Sequence, residues 1–379
     1  MTDLDNILPL WHELEAAGVD YVLATVVDVE GPSYRKPGAR MLIARDGRRA
    51  GTVSGGCLEA EVAKRAWWLT ESGPVFERYS TEADDGDMPY GSGCGGVVFV
   101  LLERRPTAAP LLHALEAAFH ARMPLAIATV LDGEAIGRRV CAGATVPEQS
   151  SSPDPSDFAL HRLASLALER MHSIDQRISI GGSETRAWSD YRAPRPGLWI
   201  FGAGDDAKPL LRFARELGWF VAVGDGRSHL ATRERFAAAD RVDKLELSKI
   251  LRKELSPIAD VKASDAVVLV THSFEQDSHL LAALFARDFL PAYLGVLGPQ
   301  RRTREVLAKA ARLLGLADSS ERVEQWLAQL HAPTGLDVGA ETPAAIALSI
   351  IAEIQQTLNN GSALPLRQVR AVRAVVSQP

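Results

Sequence analysis

Apolar residues recur three and four positions apart at the start of the chain, where Leu4, Ile7, Leu8, Trp11 and Leu14 trace one face. That spacing predicts a helix over 4–17, closed by Gly18 and weakened in its first turns by Pro9. From Tyr21 to Val29 β-branched residues dominate and predict a strand. Asp46-Gly47 between the apolar runs 40–44 and 49–53 predicts a hairpin. Helical spacing returns over 58–69, 108–121 and 157–171, and strand-like runs occupy 75–79, 97–102 and 125–131. The N-terminal half therefore reads as a mixed α+β domain. Ala193-Pro194-Arg195-Pro196 reads as a stiff linker, which places a domain boundary between 1–195 and 196–379.

The second half changes rhythm. Gly197 to Phe201 is an apolar run that enters Gly202-Ala203-Gly204, and Leu210, Phe213, Ala214 and Leu217 then share a helical face. A second apolar run, Trp219 to Val223, ends near Asp225. Strand, glycine turn, helix and strand, followed by an acidic residue, is the context of a dinucleotide-binding turn. Gly202 allows the tight turn, Gly204 lets backbone approach a phosphate, and Ala207 keeps the helix close to the strand. The helix N-terminus offers free N–H groups and partial positive charge to an anion. Asp205 and Asp206 run against this, because they put two negative charges on the same turn. A further strand over 266–270, and another with its exit loop over 293–299, complete a Rossmann-like parallel sheet, so the fold class is α/β. Thr271, His272 and Gly298 stand with Gly202 and Asp225 at strand ends, where open parallel sheets bind ligands. From Thr342-Pro343, an N-cap with a first-turn proline, Ile346, Ile350, Ile354 and Leu358 predict a closing helix.

Composition narrows the function. At 379 residues the chain suits two domains, and 46% hydrophobic residues supply ample core. A net charge of −6 and a pI near 5.9, with no basic cluster, argue against a nucleic-acid surface. No apolar run reaches membrane-spanning length, and the acidic start lacks signal-peptide character. Three cysteines without an export signal point to the cytoplasm and free thiols. Their placement is uneven. Cys57 follows Ser54-Gly55-Gly56 at a helix start, where a thiol's pKa falls. Cys94 lies among the glycines of Gly91-Ser92-Gly93-Cys94-Gly95-Gly96, after an acidic, turn-rich stretch over 81–91 that reads as a mobile loop. Cys141 sits among strand formers and reads as core. The stretch 149–155 reads as a polar, proline-broken loop.

These residues carry a resemblance. Gly31 to Met41, Ser54 to Glu59 and Gly93 to Gly96 are similar to N-terminal motifs of the XdhC/CoxI family. Phe201 to Gly204, Thr271-His272, Gly295 to Gly298, Gly335 to Gly339 and Thr342 to Glu353 resemble its Rossmann-like half. The family often has His where this chain has Asp205. The resemblance implies an accessory protein for molybdenum hydroxylases of the xanthine dehydrogenase or carbon monoxide dehydrogenase type, rather than a turnover enzyme. Such a protein binds the molybdenum cofactor (molybdopterin or its dinucleotide form), protects it, assists its sulfuration and delivers it to the apo-enzyme. By that resemblance Cys57 and Cys94 face the Rossmann-like cleft and hold molybdenum or a transferable sulfur. Gly202, Gly204, Asp225 and Arg227 hold the phosphate and the sugar or pterin, with Thr271 and His272 at the floor and Gly298 beside them. Arg40 and Ser54 contribute from the N-terminal motifs. The implied partners are an apo molybdenum hydroxylase and a cysteine desulfurase, and a homodimer is the commonest assembly for such a chain. Two other readings stand beside this one. The first is an NAD(P)-dependent oxidoreductase with His272 as acid/base, in which Asp225 favours NAD over NADP. The second is a non-catalytic nucleotide-sensing scaffold in which neither cysteine matters.

Overall fold

A computed structural model describes residues 3–56, 58–80, 96–143, 157–252, 257–317 and 319–369. It divides into two compact units, Met1–Arg195 and Pro196–Pro379. Cys57, Cys94 and the stretches 81–91 and 149–155, which the sequence marks as loops, lie outside the described residues.

In the first unit α1 (Asp3–Ala17) runs unbroken through Pro9 into β1 (Tyr21–Glu30) and the hairpin β2 (Arg40–Ala44) and β3 (Arg49–Gly51). Helix α2 (Glu59–Leu69) precedes β4 (Val75–Ser80), β5 (Val97–Arg104) and α3 (Arg105–Ala121). These strands pair antiparallel in the order β3-β2-β1-β5-β4. Period-two alternation decides what covers each face. Tyr21 and Leu23 of β1 point to Ile7, Trp11, Leu14 and Leu112 of α1 and α3. Val22, Ala24 and Val26 point the other way, to Val62 and Ala66 of α2.

A second antiparallel sheet follows, made of β6 (Leu125–Val130), β7 (Arg139–Ala142) and, after α4 (Phe158–Arg170), β8 (Ile174–Ile180) and β9 (Ser183–Arg192). Its order is β7-β6-β9-β8, and α4 packs on β6 through Leu160, Leu163 and Ala164. The β8–β9 hairpin is not among the elements expected from the sequence. Its turn is Gly181-Gly182, with φ of +58° and +86°, the positive-φ pair that a two-residue hairpin uses. β8 is an edge strand in which Ile174, Ile178 and Ile180 alternate with Asp175, Arg177 and Ser179, but only Ile178 is buried.

The second unit opens with β10 (Gly197–Phe201), α5 (Ala207–Glu216), β11 (Phe220–Asp225), β12 (Arg241–Lys244) and the short α6 (Leu247–Ile250). It continues with β13 (Ala266–Leu269), α7 (Phe274–Phe285), β14 (Tyr293–Val296), α8 (Gln300–Leu313), α9 (Ser320–Leu327) and α10 (Pro343–Leu358). All strands are parallel, in the order β12-β11-β10-β13-β14. The fold is Rossmann-like. Leu198, Ile200, Val221 and Val223 meet α5 and α10, whereas Trp199, Phe201 and Ala222 meet α7 and α8. Both faces are covered, which is why these strands read as continuous apolar runs. Helix α7 begins earlier than the apolar pattern suggests. Ser273 caps it by accepting from the Gln276 N–H at 3.2 Å, which brings Gln276 and Asp277 into its first turn.

Among the described residues no helix is long and apolar enough to cross a membrane.

Candidate functional site

The strand order reverses between β10 and β13, and the crevice of such a sheet lies outside the carboxyl ends of its strands. The glycine turn sits there. Gly202 has φ +122°, and a Cβ on it would stand 2.7 Å from the carbonyl carbon and oxygen of Val270. Close approach of the neighbouring strand exit thus already requires this glycine. Gly204 differs, since a Cβ there would meet nothing within 4 Å. Its side of the turn is open space, at the start of α5. The acidic first turn is partly neutralised, because Lys208 Nζ lies 2.8 Å and Arg235 Nη2 3.1 Å from Asp205 Oδ1. Lys208, then Arg235, holds the Asp205 carboxyl below its ordinary range.

Asp225 ends β11, buried, and its carboxylate is turned inward. Oδ2 accepts from the Ala203 N–H at 2.7 Å and from Arg227 Nη2 at 2.9 Å. Oδ1 accepts from the Arg227 N–H at 2.8 Å and Nε at 3.2 Å. Burial works to raise this carboxyl, but the bonds from the Arg227 side chain and from the Ala203 and Arg227 amides bring it below its usual value. Arg227 itself is 43% exposed. Behind the turn, Gln276 Oε1 accepts from the Gly226 N–H at 2.9 Å, while its Nε2 is buried without a hydrogen-bond partner.

At the exit of β13 the Thr271 hydroxyl donates to Asp277 Oδ1 at 2.6 Å, and Arg302 Nη2 donates to Oδ2 of the same carboxylate at 2.7 Å. Burial pushes the Asp277 carboxyl up against the opposing pull of Thr271 and Arg302. Arg302 stands in the first turn of α8, just past Gly298, whose φ is +118°. Asp277 therefore ties the exits of β13 and β14 together. His272 is 74% exposed, with Nε2 4.0 Å from Asp206 Oδ2 across the turn. Gly202, Gly204, Asp225, Arg227, Thr271 and His272 thus converge, and Gly298 joins them through Arg302. Periodicity gave no notice of Gln276, Asp277 or Arg302, whose only sequence signal is their position just after strand ends.

In the first unit the loop before α2 is organised by a residue whose role the pattern did not reveal. Oε1 of Glu59 accepts from the N–H groups of Val53 at 3.1 Å, Ser54 at 2.9 Å and Gly55 at 3.0 Å, and from the Thr52 hydroxyl. Oε2 accepts from the Ser54 hydroxyl at 2.6 Å and the Gly56 N–H at 2.8 Å. Four successive amides make an anion nest that the chain's own carboxylate fills. Burial would raise its pKa, but the Ser54 and Thr52 hydroxyls and the Ser54 amide outweigh that and hold it at about 2. Ser54 is thereby committed to the loop, since its oxygen also accepts from the Leu58 N–H at 2.8 Å.

Arg40 is likewise internal. Its guanidinium donates to Asp190 Oδ2 at 2.7 Å and to the Gly38 carbonyl at 3.1 Å, fully buried. Burial, and then the nearby Arg192, lowers its pKa to about 10. Arg192 shares Asp190 at 2.7 Å, and Arg139 pairs with the buried Glu103 close by. Cys141 is half-buried on β7 against the core cluster of α1 and α3, and burial raises its thiol pKa. Its reading as core agrees with this placement.

Comparison with known proteins decides the lineage. Residues 198–354 match the XdhC Rossmann domain, and residues 14–80 match the XdhC and CoxI family. A Bacillus subtilis (strain 168) protein, named as a probable xanthine dehydrogenase subunit, is 30% identical over 339 residues, spanning 89% of this chain and 92% of that one. The chain belongs to the XdhC and CoxI family. A further relative, the molybdenum cofactor insertion chaperone PaoD of Escherichia coli (strain K12), is 26% identical over 361 residues, 93% of this chain and 88% of PaoD. A crystal structure from Bacillus halodurans described as a xanthine dehydrogenase aligns with a TM-score of 0.69 at 27% identity, covering 96% and 97% of the two chains. The two XdhC segments contain the features built up above: the Glu59 nest lies within 14–80 and the crevice within 198–354.

Proposed function

We propose that this protein is a molybdenum-cofactor chaperone that protects the cofactor, assists its sulfuration and delivers it to an apo molybdenum hydroxylase of the xanthine dehydrogenase kind. The observation that carries the proposal is the open side of the Gly204 turn, next to the half-exposed Arg227, in a chain similar to PaoD. The residues present fit such a group. A helix N-terminus and a guanidinium suit its phosphate, and the Gly204 side of the turn leaves room for it.

Cys57 and Cys94 are the thiols assigned to the metal or to a transferable sulfur. Thiolates are soft ligands suited to a sulfur-held metal, and a cysteine can carry a persulfide. In the sulfuration step a cysteine desulfurase would present a persulfide. Its outer sulfur passes to the thiolate and the donor leaves as its own thiolate. When bound, the cofactor supplies the molybdenum centre. In this reading the Gly204 turn and Arg227 bind its phosphate and orient it. The nest is occupied by a carboxylate, so the loop's amides are not the phosphate cradle.

The test is molybdenum content after gel filtration of protein loaded with cofactor, in wild type and in Cys57→Ala and Cys94→Ala. Wild-type retention with loss in the variants supports the proposal. Unchanged retention in both variants removes the thiol assignment, and no molybdenum on wild type removes the chaperone reading.

A further inference from the structure

The hydrogen bonds around Asp225 fix what the β11 end of the crevice can recognise. In dinucleotide-binding folds an acidic residue at this place accepts from a ribose hydroxyl, whereas a nearby arginine accommodates a phosphate on that ribose. A carboxylate offers about four lone-pair sites. On Asp225 four donors already use them: the Ala203 and Arg227 amides and Nε and Nη2 of Arg227. A diol therefore finds no acceptor here unless it displaces a bond that holds the glycine turn. Arg227 has the opposite standing. Of its five N–H donors, Nε and one on Nη2 face Asp225, and its side chain is 43% exposed. The following residues, Ser228 and His229, are exposed as well. Behind the turn, Gln276 fixes Gly226 through its Oε1, and its Nε2 is buried without a hydrogen-bond partner.

We propose that this end of the crevice binds a phosphate monoester through Arg227 and excludes an unmodified ribose diol. The proposal rests on the reading of this crevice as the ligand site, and it reverses the sequence-based expectation that Asp225 favours NAD over NADP. Asp225 becomes a positioning residue that orients Arg227 and pins Ala203.

NAD⁺ and NADP⁺ serve as probes, because they differ only by the phosphate on that ribose. Calorimetric titration of the full chain is expected to show NADP⁺ binding at least about tenfold tighter, the worth of one charge-assisted hydrogen bond. Arg227→Ala abolishes the preference and frees two acceptor sites on Asp225, so NAD⁺ affinity holds or rises. Arg227→Lys retains a charge and part of the preference, which guards against a folding defect in the alanine variant. Equal or tighter binding of NAD⁺, binding of neither probe up to millimolar concentration, or an unchanged ratio in Arg227→Ala overturns the proposal. Its failure is separable from that of the chaperone reading. Molybdenum retention without an NADP⁺ preference sinks this inference alone, and the reverse pattern sinks the chaperone alone.

Discussion

Replacing Glu59 by Gln tests whether the loop before α2 is held by one carboxylate. Gln keeps the shape but offers one carbonyl oxygen to donors that now occupy two carboxylate oxygens. With Oε1 replaced by the carbonyl, the Ser54 hydroxyl and the Gly56 N–H face an amide NH₂. The carboxyl stands at about 2, against an ordinary 4.5. At 1.36 kcal/mol per pKa unit that corresponds to about 3 kcal/mol, and the partial exposure of Glu59 brings it toward about 2 kcal/mol. For a unit of this size that is a fall in Tm of about 4–8 °C. The sign with pH follows from the depressed folded-state pKa. The carboxylate stabilises fully above the unfolded value and loses that contribution as pH falls from about 4.5 toward about 2. Thermal unfolding of wild type and Glu59→Gln from pH 7 to pH 2.5 therefore shows a gap that closes in acid, and hydrogen exchange localises the change to 52–59. A gap below about 0.5 kcal/mol at neutral pH, or one that stays constant down to the lowest pH, would show that the Glu59 carboxylate does not hold the loop.

Two further outcomes follow from the geometry. Gly202→Ala and Gly204→Ala separate a glycine needed by the protein from one kept for a ligand. The first puts a Cβ 2.7 Å from Val270 at φ +122° and costs more than about 2 kcal/mol. The second unfolds within about 0.5 kcal/mol of wild type yet weakens ligand binding; equal stability of the two refutes the distinction. Asp190→Ala leaves the buried Arg40 without its counter-ion and costs about 3–5 kcal/mol in urea unfolding. A loss under about 1 kcal/mol would show that the cluster relaxes freely.

Much of this was legible in the sequence because the determinants were local. Gly197 to Gly204 and the helix behind it carry their own periodicity, and Asp46-Gly47 fixes its hairpin by turn chemistry. What could not be read depends on contacts that periodicity does not encode. The Glu59 nest is built mainly from backbone amides, so no residue type reveals it. Arg40 meets Asp190 across 150 positions, which turns a motif arginine into a buried strut. β8 alternates Ile174, Ile178 and Ile180 with polar residues, but Gln176 interrupts the pattern and as an edge strand it buries only Ile178. Asp225 occupies the place that the fingerprint predicts, but the arginine two residues on consumes most of its acceptor capacity. Position was readable from spacing, and availability was not.

The proposed function requires that the Gly204 crevice take molybdenum cofactor. The most direct measurement is metal content after gel filtration of wild-type protein incubated with purified cofactor, with NAD⁺ as competitor. Stoichiometric molybdenum that excess NAD⁺ does not displace, and that Gly204→Ala diminishes, is the expected result. Molybdenum-free protein that binds NAD⁺ tightly would contradict it and favour an oxidoreductase.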